Sequence, residues 1–183
     1  MLFLGIIAFV FGVLGVWLTI RQNILCWPAA LISVVAATID FYLSRLFGDM
    51  ALQVFYFFAG IYGWYYWDKH KNLSFEIKRI PMKKTPFLLI VTALQFVLYY
   101  KLLIYFEGAR PFLDALLTAA SLTCTYMMTK KWLENWLIWV IIDSTYILLY
   151  VLTDLWLYGL LYLFFAAMAY YGWMTWRKKV YVA

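Results

Sequence analysis

Charge is scarce in this chain. Charged residues make up 13% of its 183 residues and apolar residues 67%, whereas an ordinary soluble domain is about a quarter charged and about half apolar. Histidine occurs once, as His70, and cysteine twice, as Cys26 and Cys124. A zinc or haem centre needs more ligands than these, so no cofactor and no metal are expected. Both cysteines lie in apolar runs and are expected as packed thiols rather than a disulfide. There is no Walker-type phosphate loop, which argues against direct drive by ATP. The carboxylates Asp40, Asp114 and Asp143 are scattered and the single histidine lies in a polar stretch, so no acid–base or nucleophile set emerges. An enzyme is not expected, and neither is a nucleic-acid partner. The first apolar run lacks a basic leader and a small-residue cleavage site, so it reads as a span rather than a signal peptide.

What the chain has in quantity is apolar length and aromatic rings, the latter 22% of residues. A helix needs about 20 apolar residues to cross the hydrocarbon core. Seven spans fit: Leu2–Ile20, Ile24–Ser44, Met50–Trp67, Pro86–Phe106, Phe112–Met128, Asn135–Leu152 and Leu155–Trp176. The expected fold is therefore an all-α integral membrane domain in contact with lipid. One longer connection, Asp68 to Thr85, is polar, basic and bounded by Pro81 and Pro86, and reads as a solvated linker. Basic residues divide unevenly between the two sides. Arg21, Lys69, Lys71, Lys78, Arg79, Lys83, Lys84, Lys130, Lys131, Arg177, Lys178 and Lys179 fall on one side; Arg45 and Arg110 fall on the other. The positive-inside rule places the crowded side in the cytoplasm, with the N-terminus outside and the C-terminus inside.

The chain also repeats. Gln22-Asn23 followed by Trp27 resembles Glu134-Asn135 followed by Trp139, an offset of 112 residues. Tyr62-Gly63-Trp64 resembles Tyr171-Gly172-Trp173, an offset of 109, so a gap of three is expected between the copies. Residues 1–67 and 107–183 read as two parallel three-helix repeats, with a loop and a linker helix at 68–106 between them. This 3+1+3 plan is a transporter signature, with the solute site at the repeat interface. The Trp-rich ends also suit interfacial anchors.

Asp143 is the sharpest single feature. It sits at the centre of an apolar span, where a carboxylate costs about 2.5–3.5 kcal/mol to insert. Trp136, Trp139, Asp143, Tyr146 and Tyr150 follow spacings of three and four and share one helical stripe. Aromatic faces beside a carboxylate attract an organic cation through ring quadrupole and charge together. Gln53 is a polar amide inside the third span, either an interhelical hydrogen bond or a ligand for a carboxamide or ring nitrogen. Asn135 either caps its helix or joins the site. Asp114 suits a helix start, where the dipole favours a carboxylate. Asp40 could partner Arg45 or guard an entrance. The expected substrate-binding set is Gln53, Asn135, Trp136, Trp139, Asp143 and Tyr146.

Gln22-Asn23-Ile24-Leu25-Cys26-Trp27-Pro28, Leu52-Gln53-Val54-Phe55, Ile61 to Trp67, Pro111-Phe112-Leu113-Asp114 and Glu134 to Trp139 together resemble the PnuC family of bacterial vitamin transporters. Each motif is short, but their order and spacing cover nearly the whole chain. The resemblance implies a fold related to the SWEET sugar transporters and a homotrimer in the bacterial inner membrane. It further implies facilitated diffusion of an unphosphorylated vitamin, trapped inside by a cytoplasmic kinase. The family substrate is nicotinamide riboside, and related branches carry thiamine or riboflavin. Asp143, in place of the Asn usual in the nicotinamide riboside branch, and the short connection Glu107 to Pro111 resemble the thiamine branch. A carboxylate among aromatics suits either cation, so the two substrates stand level. The rival readings are an accessory subunit of a larger permease, which leaves the repeat unexplained, and a membrane-embedded enzyme.

Overall fold

The computed structural model describes residues 2–43, 47–71, 76–107, 110–152 and 156–180. These form seven α-helices: α1 (Leu2–Ile20), α2 (Cys26–Leu43), α3 (Phe47–His70), α4 (Thr85–Tyr105), α5 (Pro111–Thr129), α6 (Asn135–Val151) and α7 (Trp156–Arg177). A single 3-10 turn, Met82–Lys84, leads into α4. At about 1.5 Å per residue, helices of this length match the roughly 30 Å hydrocarbon core. By length and composition α1, α2 and the stretch Met82–Tyr105 are apolar enough to cross a membrane, and α6 carries a shorter apolar run. The expected spans agree with these helices to within a few residues at each end. Pro28, Pro86 and Pro111 all lie in first turns, where the missing N–H costs nothing.

The chain divides into two compact units, residues 1–75 and 76–183. In the first unit α2 packs against both α1 and α3. Small residues permit the close approach. A Cβ at Gly15 would lie 3.4 Å from the Ala30 backbone nitrogen, and the Ser33 hydroxyl donates to the Ala8 carbonyl at 2.6 Å. Across α2 and α3, a Cβ at Gly60 would meet Leu31 Cδ2 at 2.9 Å, and one at Gly63 would overlap the Trp27 ring.

In the second unit the helices pack in chain order, α4 on α5, α5 on α6 and α6 on α7. The Thr92 and Thr123 hydroxyls bond at 2.7 Å, and Thr123 donates on to Gln95 Oε1 at 3.1 Å. Below them Leu88, Met127 and Trp132 form an apolar cluster, joined by Ile80 and Ile138.

Each unit contains the same three-helix pattern. α5, α6 and α7 begin 109 residues after α1, α2 and α3, at Pro111, Asn135 and Trp156 against Leu2, Cys26 and Phe47. Details obey the same offset. Gln22 and Lys131 both adopt left-handed φ, 57° and 52°. Arg21 lies 4.8 Å over Trp17, and Lys130 lies 5.3 Å over Tyr126. Trp27 meets Trp67 edge-on at 5.5 Å, and Trp136 meets Trp176 edge-on at 5.3 Å. The counterpart of Trp27 is therefore Trp136 rather than Trp139, and no gap of three intervenes. Asn23 and Asn135 misled because they share a residue type but not a place. Asn23 lies in the turn before α2, whereas Asn135 is the first residue of α6.

Three further expectations change. Trp67 and Trp176 are buried, 3% and 0% exposed, so they are packing residues rather than interfacial anchors. His70 ends α3 rather than lying in a loop, stacked on Tyr66 at 4.1 Å. The polar connection is partly docked: Ile77 is 2% exposed and the backbone of Lys78 and Ile80 bonds to the α5–α6 turn, while Lys78, Arg79 and residues 81–84 are exposed as expected. Residues 72–75 and Arg45, the suggested partner of Asp40, lie outside the described residues.

Candidate functional site

The site residues on α6 owe their positions to the two helices flanking it. On the α7 side, Trp136 rests its indole over Gly172 and sets its edge against Trp176. A Cβ at Gly172 would lie 2.7 Å from Trp136 Cε3. Tyr146, ten residues on, lies 4.5 Å from the Tyr162 ring of α7. On the α5 side, the Cys124 thiol donates to the Asn135 carbonyl at 2.9 Å and is an electrostatic neighbour of Asp143. Both cysteines are free and buried.

The expected stripe is thus divided by its packing. Trp136 is 2% exposed and clamped, while Trp139 is only partly buried and makes no ring contact among the described residues. Trp136 still has one open valence, because its indole N–H is buried without an acceptor. Asn135 is fully buried and does not cap the helix. Its amide nitrogen donates back to the Trp132 carbonyl, and its Oδ1 has no partner. A buried amide oxygen and a buried indole N–H left unpaired each cost about 1–3 kcal/mol, so adjacent orphans on one turn favour a polar occupant.

Asp143 is 6% exposed. No hydrogen bond or ion pair reaches its carboxylate among the described residues. Asn135, Trp136, Trp139, Asp143 and Tyr146 all lie in the second unit, on α6. Gln53 lies on α3 in the first unit, half-buried, with no hydrogen bond to its amide among the described residues. The interhelical bond considered for it is not formed there. Asp114 stands in the first turn of α5, as a dipole-stabilised carboxylate should. The side chain of Tyr150 lies outside the described residues. The sequence reading missed Cys124 and Tyr162 as neighbours of the site, and it gave Gly172 no role in placing Trp136. Only the Tyr-Gly-Trp repeat hinted at the last.

An unpaired carboxylate, half-open aromatic rings and orphaned polar atoms can hold a polar cation. Comparison with known proteins bears on the same point. The family model described as nicotinamide mononucleotide transporter matches residues 2–178. The nicotinamide riboside transporter PnuC of Escherichia coli strain K12 is 26% identical over 193 residues, covering 90% of this chain and 81% of that protein. Its namesake from Neisseria mucosa is 27% identical over 192 residues, covering 97% and 73%. A crystal structure of the vitamin B3 transporter PnuC superposes with a TM-score of 0.78 at 22% identity, covering 96% of this chain and 81% of that one. The family model and these relatives make the chain a multi-pass membrane transporter, not an enzyme. The chain belongs to the nicotinamide mononucleotide transporter family, the family of the PnuC proteins.

Proposed function

We propose that this protein takes up a cationic B-vitamin precursor by facilitated diffusion, with nicotinamide riboside as the first reading. The buried, unpaired carboxylate of Asp143 carries the proposal. A span retains so costly a group when it meets an opposite charge in the solute path, and a pyridinium between Trp139 and Tyr146 would supply that charge and suit the rings. The names of the relatives from Escherichia coli and Neisseria mucosa favour nicotinamide riboside. Thiamine is the second reading, because its thiazolium satisfies the same carboxylate and Asp143 departs from the Asn usual in the nicotinamide riboside branch.

In this reading Trp139 and Tyr146 form the aromatic half of the site and Asp143 the charged half. Asn135 Oδ1 and the Trp136 indole N–H take the polar groups of the solute, and Gln53 is kept as a further candidate ligand for a carboxamide or ring nitrogen. Uptake needs no coupled ion and becomes one-way through a cytoplasmic kinase that phosphorylates the arriving vitamin. The assembly is a homotrimer of 3+1+3 protomers in the bacterial inner membrane, N-terminus outside. Calorimetry on purified protein with nicotinamide riboside, thiamine and uncharged riboflavin tests the reading. Saturable binding of either cation with none of riboflavin supports it; binding of riboflavin alone, or of none of the three, overturns it.

A further inference from the structure

The two short connections that open α2 and α6 are equivalent in place and different in how they are held. In the first unit, Asn23 Oδ1 accepts the Leu25 N–H at 2.9 Å. At the 109-residue offset Asn23 becomes Trp132 and Leu25 becomes Glu134. Trp132 has no acceptor to offer the backbone, since its indole only donates. The second connection is met by a segment more than fifty residues earlier. Lys78 N–H donates to the Lys131 carbonyl at 3.1 Å, and Leu133 N–H donates to the Lys78 carbonyl at 2.9 Å, a single parallel bridge. Two residues further on, Ile80 N–H donates to Glu134 Oε2 at 2.8 Å. Buried Ile77 and the packing of Ile80 on Leu88, Met127 and Trp132 anchor the segment.

We propose that residues 77–80 are a strap that fixes the first turn of α6, with Glu134 as the positioning residue for Asn135 and Trp136. Two arguments carry this. Glu134 directly precedes Asn135 and Trp136, each of which has a buried polar atom without a partner. A hydrogen bond from a backbone N–H to a carboxylate is about twice as strong as a neutral one, so it holds the turn at a defined place. Glu134 touches no solute in this scheme; it acts through the turn that does. The inference rests on the α6 turn belonging to the solute path.

The test uses purified full-length protein in detergent, with Glu134→Ala, Glu134→Gln and Ile77→Ala. Glutamine retains an oxygen that accepts the Ile80 N–H; alanine does not. Binding of nicotinamide riboside and thiamine is measured beside melting temperature and amide hydrogen exchange at residues 77–80 and 133. Glu134→Ala should bind about tenfold more weakly, within the strength of one bond to a charged group. Exchange along the strap should quicken, and Glu134→Gln should recover most of both effects. Ile77→Ala, which removes the strap's anchor and leaves Glu134 in place, should weaken binding in the same direction and serves if Glu134→Ala does not fold. Glu134→Ala with lowered melting temperature but unchanged affinity would mean a merely structural bond and would overturn the proposal. So would equal losses in Glu134→Ala and Glu134→Gln. If the unaltered protein binds neither cation, the proposed function fails first; if it binds and the variants match it, only the strap fails.

Discussion

Trp136 covers Gly172 so closely that a single methyl at the glycine would stand 2.7 Å from the indole. Trp27 covers Gly63 in the same manner, 109 residues earlier. In both units the ring meets a second tryptophan edge-on, and in both its N–H is buried without a partner. The pair of latches sets how closely α3 lies on α2, and α7 on α6.

Gly172→Ala and Gly63→Ala should therefore each lower the melting temperature. Overpacking of this kind costs about 1–3 kcal/mol, and part of the edge-on contact, worth about 0.5–1.5 kcal/mol, is lost with it. Gly172→Ala should also shift near-UV circular dichroism, because two of the chain's tryptophans move. A melting temperature unchanged in both variants would show that the rings reorient freely.

Asp143→Asn should fold, since it withdraws a costly buried charge and keeps the shape of the side chain. Its affinity for a cationic vitamin should fall by about 1–2 kcal/mol, about tenfold in dissociation constant. A neutral analogue with a reduced nicotinamide ring should be affected much less. Calorimetry with both ligands decides: equal weakening means that Asp143 shapes the helix packing and does not pair with the cation.

Movement of a permanent cation without a coupled ion carries charge. In proteoliposomes at zero membrane potential, internal substrate should level off at the external concentration. An inside-negative potential of about 100 mV should add about 2.3 kcal/mol of driving force. Accumulation that follows an imposed proton gradient at zero potential would make Asp143 a proton carrier instead.

The basic residues predict the orientation. Cysteines introduced in Asp68–Thr85 or after Arg177 should react with an impermeant maleimide only from the cytoplasmic side, because the lysine and arginine bias sets orientation. Labelling from outside intact cells would reverse it.

The spans were legible because hydropathy and length are local properties. α1 runs over the expected residues, and α6 starts at the expected Asn135. The isolated carboxylate of Asp143 stood out for the same reason: its cost is set by the apolar residues beside it in the chain. Family membership followed from motif order, which is also written along the chain. The repeat was visible too, but its register was not. Similar residues aligned Trp27 with Trp139, whereas the glycine beneath each ring pairs it with Trp136. Periodicity gave Trp136 and Trp139 one stripe and one role. Only the neighbouring helix separates them, because α7 places Gly172 and Trp176 against the first and, among the described residues, no ring against the second. The docking of residues 77–80 was hidden for a related reason. Lys78 and Arg79 read as solvated by composition and their side chains are exposed, yet the backbone N–H and C=O of Lys78 and the N–H of Ile80 are met by a turn more than fifty residues away. What a residue costs in a membrane is written in its immediate sequence; what it touches depends on which surface the rest of the chain brings to it.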